Sequence, residues 1–241
     1  MTEQTVAYAM GDVTARGFLV RDEALSGPRP GVLVVHDAFG CADYAKSRAR
    51  QLAGLGFVAL AADMFGEGKV AANFEEARPL IAGVGGPEVI RTRAAAALAR
   101  LRAEPDVDPD RIAAIGYCFG GRTVLELAYS GAELAGVVSF HGGLTVPGDE
   151  DLTRIKAKIL ICHGDADPHV PPAAVRACLD GLVRAGADWQ FVAYNVVHGF
   201  THPGVGDDIS RGVAYDAAAD RRSWQAMRSF FDELFTAPTH P

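Results

Sequence analysis

Gly116-Tyr117-Cys118-Phe119-Gly120-Gly121 is the most chemically informative run in the sequence. It has the Gly-x-nucleophile-x-Gly form of a sharp strand-to-helix turn, with Cys in the nucleophile position. The strand and helix cross closely at such a turn, so the residues two before and two after the nucleophile must be small. Cys118 then projects from the amino end of a helix, whose dipole favours a thiolate. A base and an acid are expected further along the chain, in the order nucleophile, acid, base. Acid candidates lie in Gly164-Asp165-Ala166-Asp167-Pro168, and the base candidate in Val196-Val197-His198-Gly199-Phe200. His198 would take the thiol proton and return it to the leaving group, while the acid holds the imidazole in the right tautomer. A free thiol titrates near about 8.5, so such a base is needed at neutral pH. The developing oxyanion needs two main-chain N–H donors, which fall to Phe119 and to Ala38 in an earlier loop.

Those residues need a scaffold that delivers three strand ends to one edge. Gly31 to His36, Phe57 to Ala62, Ile112 to Gly116, Ala135 to Phe140, Lys158 to His163 and Trp189 to Tyr194 read as strands, several of them apolar throughout, as in a sheet covered on both faces. Helical spacing appears at Asp43 to Leu52, along a face from Val89 to Leu101 behind Pro87, through Val175, Leu179 and Leu182, and from Trp224 to Leu234. Thr5 to Ala9 and Arg16 to Val20 flank Gly11-Asp12 as a hairpin. The alternation predicts right-handed crossovers and a mostly parallel central sheet with helices on both faces, and places ligands at the carboxyl ends of its strands. Met64 to Gly86, with a helical patch over Phe74 to Leu80, and Thr201 to Tyr215 read as long loops that rim a site.

Length and composition bound the answer. The 241 residues are 49% hydrophobic and 22% charged, which fits one domain over 1–241 and excludes a disordered chain. A net charge of -7 argues against a nucleic-acid partner. The first ten residues lack a signal-peptide pattern, and no apolar run approaches the 18 or so residues of a membrane span, so a cytoplasmic protein is expected. Cys41, Cys118, Cys162 and Cys178 form no Cys-x-x-Cys pair and read as free thiols, with Cys162 and Cys178 in the core. His163, Asp165, Asp167 and His169 sit in a turn where alternate side chains need not converge, and no metal is assigned to them. His36 and His141 read as structural histidines, and Arg122 as held by Glu126 one helical turn on.

The chain resembles the dienelactone hydrolases, carboxymethylenebutenolidase-type members of the α/β-hydrolase superfamily. The resemblance rests on Val34 to Gly40, Ala61 to Gly66, Gly116 to Gly121, Gly164 to Pro171 and His198 to Phe200. It implies an α/β-hydrolase fold, no cofactor, and a triad of Cys118, Asp167 and His198, with Asp167 rather than Asp165 as the acid. Its prototype carries a Glu that touches the resting thiol and helps activate it; Asp37 stands in that place here. The prototype also holds the substrate carboxylate with an Arg four residues past the catalytic His, where this sequence has His202. Phe39, Arg78, Tyr117, Phe200 and His202 are candidate substrate contacts. The function implied is a cysteine-dependent hydrolase of small-molecule esters or lactones, working as a monomer or small homo-oligomer. Acyl transfer on the same triad, and a non-catalytic ligand-binding or thiol-sensing relative, are the alternatives.

Overall fold

A computed structural model describes residues 1–236. Residues 237–241 of the expected domain span lie outside the described residues. Eight strands form one sheet in the order β1-β2-β4-β3-β5-β6-β7-β8. They are β1 (Thr2–Met10), β2 (Val13–Arg21), β3 (Arg29–Val35), β4 (Val58–Ala62), β5 (Val107–Tyr117), β6 (Gly136–Phe140), β7 (Lys158–Gly164) and β8 (Trp189–Tyr194). The β1–β2 hairpin turns at Gly11, which holds a positive φ, and joins antiparallel to β4; from β4 to β8 every pairing is parallel.

Period-two alternation splits the strands between two cores. Leu33 and Val35 pack on one face with Ile90, Leu98 and Leu101 of α3 (Pro87–Arg102), with α4 (Phe119–Tyr129), and with Cys178 and Leu182 of α5 (Pro172–Arg184). Val32 and Val34 pack on the other with Ala45, Ala49 and Leu52 of α1 (Asp43–Ala53) and with Met227, Phe230 and Phe231 of α6 (Ala217–Thr236). Helices therefore cover both faces of a mostly parallel sheet.

Among the boundaries that differ from the sequence expectation, two bear on the site. β5 begins at Val107 rather than Ile112, because the Pro-Asp run pairs with Arg29 and Pro30 before the register shifts at Gly31. The helical patch at Phe74 continues as α2 (Phe74–Val84), since Asn73 caps its first turn by accepting from the Glu76 N–H at 3.0 Å. Residues 201–215 contain two short 3₁₀ turns, Pro203–Val205 and Ile209–Arg211. No helix among the described residues is long and apolar enough to cross a membrane.

Candidate active site

β5 ends at Tyr117 and α4 begins at Phe119, leaving Cys118 between them at φ +52° and ψ -111°. Such a conformation is costly for a residue with a side chain and persists only where the surroundings enforce it. The neighbouring glycines show how. A Cβ on Gly116 would lie 2.0 Å from the Gly120 carbonyl oxygen, and one on Gly120 would lie 2.2 Å from that of Val35. The first turn of α4 is thus pressed onto the carboxyl end of β3, beside the loop that carries Ala38. Phe119 is the first residue of α4, so its N–H is one that helix geometry leaves open. Among the described residues the Ala38 N–H has no hydrogen-bond partner either.

His198 follows β8 and Asp167 follows β7. The His198 Nδ1–H donates to Asp167 Oδ2 at 2.6 Å, and Asp167 Oδ1 accepts from the His169 N–H at 2.8 Å. Both residues are buried. His198 is also clamped through its backbone: its N–H donates to Gly212 O at 3.2 Å and its carbonyl accepts from the Ala214 N–H at 3.0 Å. The long loop after Thr201 thus returns to fix the ring. Burial opposes a charged imidazole at His198, but the neighbouring Cys118 sulfur and the hydrogen bond and charge of the Asp167 carboxylate outweigh it and carry the pKa up to about 10. Burial pushes the Asp167 carboxyl up, and the His198 hydrogen bond and charge more than reverse it, leaving its pKa lowered. The side chains expected to act together are gathered at the carboxyl ends of β5, β7 and β8.

Other expected contacts divide. A cavity of about 620 Å³ opens beside Cys118 and His198, lined by Ala38, Phe74 and Ile81 and by the guanidinium-bearing Arg78, Arg122 and Arg211. Phe39 and His202 border a smaller space next to Cys118. Tyr117 does not reach either: it is fully buried, stacked on Phe140 at 4.8 Å and edge-on to Tyr44 at 5.2 Å. Strand alternation turns the residue before the nucleophile into the α1–α6 core. Phe200 is likewise fully buried, packed against His141 at 5.1 Å and Tyr194 at 5.5 Å. Both are corrected to core residues.

Arg122 is a third correction. Glu126 is taken by Arg91 of α3 at 2.8 Å, in a buried cluster with Asp151, and Arg122 faces the cavity instead. His36 is structural, donating from Nδ1 to Asp37 O at 2.7 Å and accepting at Nε2 from Met64 N–H at 3.1 Å. Cys41, Cys162 and Cys178 are buried; burial pushes the Cys41 and Cys162 thiols up to about 12 and the Cys178 thiol up as well. Among the described residues no three His, Cys, Asp or Glu side chains converge as metal ligands.

The sheet order, the strained turn holding Cys118 and the Asp–His pair at the same edge define an α/β-hydrolase. Within that class the chain belongs to the dienelactone hydrolase family, whose model matches residues 15–235. It is therefore a hydrolase of the kind that acts on esters or lactones. A solved structure titled m3DLH superposes with a TM-score of 0.93 at 45% identity, covering 97% of this chain and 98% of its own. A dienelactone hydrolase-like promiscuous phosphotriesterase from metagenomic libraries, P91, does so with a TM-score of 0.92 at 46% identity over 97% and 98%. An Escherichia coli (strain K12) protein provisionally named carboxymethylenebutenolidase is 26% identical over 230 residues, 88% of this chain and 80% of that protein.

Proposed function

We propose that the protein, as one catalytic domain, hydrolyses small carboxylic esters or lactones by covalent catalysis at Cys118. The observation that carries the reading is the 2.6 Å Asp167–His198 bond, which leaves the far side of the ring free in the space it lines together with Cys118. His198 holds the thiol proton, and the thiolate attacks the substrate carbonyl. The tetrahedral oxyanion receives the N–H groups of Phe119 and Ala38, each worth about 3 kcal/mol in the transition state. Collapse breaks the ester C–O bond as His198 protonates the leaving oxygen, giving a thioester on Cys118. Water then attacks that carbonyl, giving its proton to His198; the acid departs and the thiol is restored. Asp167 orients the ring throughout and stabilises its charged form.

The larger cavity supports a substrate class. Arg78, Arg122 and Arg211 line it, no Asp or Glu does, and none of the three has an ion-pair partner among the described residues. Such lining favours esters or lactones that carry a negative group away from the reacting carbonyl. Turnover of aryl esters and enol lactones by wild type and Cys118→Ala tests the mechanism, with mass spectrometry of the acyl-enzyme. Unchanged turnover in the variant would sink it. Added alcohols in the same assay report acyl transfer in competition with water.

A second reading is hydrolysis of neutral phosphotriesters on the same residues. The 46%-identical relative titled a promiscuous phosphotriesterase favours it. An aryl phosphotriester assay, again against Cys118→Ala, checks that activity.

A further inference from the structure

A second imidazole–carboxylate pair faces Cys118. A space of about 20 Å³, room for about one water, is bordered by Cys118, His198, His141, Asp37 and His202. Asp37 lies in the loop after β3, and both its oxygens are engaged. Oδ1 accepts from the Phe39 N–H at 2.9 Å, and Oδ2 accepts from the His202 Nδ1–H at 2.6 Å. Neither oxygen bonds the Cys118 sulfur.

The His202 ring is held where it is. It stacks on Tyr44 with centroids 4.0 Å apart and planes 6° apart, and it meets Phe39 edge-on at 5.5 Å. The His202 backbone N–H donates to Gly199 O at 3.0 Å, one residue past His198. Tyr44 is fixed in turn by Thr201 Oγ1 at 2.6 Å and by the Arg48 guanidinium 5.2 Å from its ring. A swing of the imidazole away from Asp37 would break the stack and the hydrogen bond together.

A carboxylate left without that partner would face the thiol across the width of one water. It would disfavour the thiolate by like-charge repulsion and offer the S–H an acceptor that competes with His198. We infer that His202 is a positioning residue that turns the Asp37 carboxylate away from Cys118, so that the thiol is paired with His198 before any substrate enters. The inference rests on the proposal that Cys118 is the nucleophile. It joins the two departures from the family prototype, Asp37 and His202, into one unit.

The test reads thiol reactivity rather than turnover. Alkylation of the free protein by iodoacetamide at pH 7, followed by mass spectrometry, reports Cys118, because the other three thiols are buried and raised in pKa. The other charged or titratable groups that line the two spaces with Cys118 are His198, backed by Asp167, and His141, His169, Arg78, Arg122 and Arg211, and none of them is altered. His202→Ala is expected to slow alkylation about tenfold. His202→Asn, whose side-chain amide can donate from near the Nδ1 position, should stay close to wild type. Adding Asp37→Asn to His202→Ala should recover most of the lost rate, since Asn keeps the acceptor for Phe39 N–H while removing the charge. A merely structural role for His202 would not be rescued by the second change. Wild-type speed in His202→Ala, or a double variant as slow as the single, overturns the inference. Failure of the nucleophile reading looks different: Cys118→Ala would then keep its ester turnover.

Discussion

The backbone N–H of Cys118 is shared between Phe140 O at 3.0 Å and His141 Nδ1 at 3.2 Å, and the two cysteine and histidine residues both hold positive φ, +52° and +39°. Two strained residues from neighbouring strand ends therefore hold each other. Nδ1 accepts, so Nε2 carries the ring proton and donates to Thr201 Oγ1 at 2.6 Å. Burial, aided by repulsion from His198, keeps the His141 pKa well below the usual imidazole range, which preserves that lone pair. His141→Leu removes the acceptor and is expected to lower kcat about tenfold to a hundredfold with little change in KM. His141→Asn keeps an acceptor near Nδ1 and tolerates positive φ, so it should lie within about threefold of wild type. Steady-state kinetics on an aryl ester measure both.

The raised His198 value sets the alkaline edge of the reaction. In the proposed mechanism acylation needs a protonated ring to release the leaving oxygen, so the single-turnover acylation rate should hold to about pH 9 and fall with an apparent pKa near 10. Asp167→Asn removes a hydrogen bond and a charge that raise the ring, and the edge should then move down toward about 8. In stability the sign is the same. The protonated ring's contribution is fully present below about 6.5 and is lost as pH climbs through about 10.

Sequence order and strand ends were enough to gather Cys118, Asp167 and His198, because each follows an apolar run and parallel strands deliver their ends to one edge. What depends on lateral neighbours was not legible. His141 meets Cys118 only because β6 lies beside β5, pairing Phe140 with Tyr117. Tyr117 turns into the core because one residue of parity decides which face a strand side chain takes, and Phe200, in the turn after His198, is drawn inward by its packing on His141 and Tyr194. Local spacing joined Arg122 to Glu126, but Arg91, 35 residues from Glu126 in sequence, reaches that carboxylate from the next helix. Arg211 and the backbone clamp at Gly212 and Ala214 come from the loop that the sequence reads as a rim of the site, but which of its residues return to His198 is set by contacts in space that spacing does not encode.

Two glycines give opposite outcomes for the same substitution. A Cβ on Gly120 would stand 2.2 Å and 2.6 Å from the carbonyl oxygens of Val35 and His36, both rigid strand-end groups. Gly120→Ala is expected to cost about 3 kcal/mol or more and to disable the turn. On α2, Gly83 has nothing within 4 Å of its would-be Cβ, and Gly83→Ala should gain about 0.5 to 1 kcal/mol from helix propensity. Denaturant unfolding of both variants checks the contrast.

Arg122 offers the sharpest test of substrate class. It sits in the first turn of α4, where the helix dipole disfavours a cation, and the Glu126 that local spacing offers it is occupied by Arg91. Its Nε is buried and without a hydrogen-bond partner among the described residues. A cation held at cost against the cavity wall is offset when an anionic substrate group binds there. Arg122→Leu should raise KM about tenfold for an aryl ester bearing a carboxylate on its acyl part and change KM for the matching neutral ester less than about twofold. Equal losses on the two esters would assign the guanidinium to packing, and the anion preference would then have to rest on Arg78 and Arg211 alone.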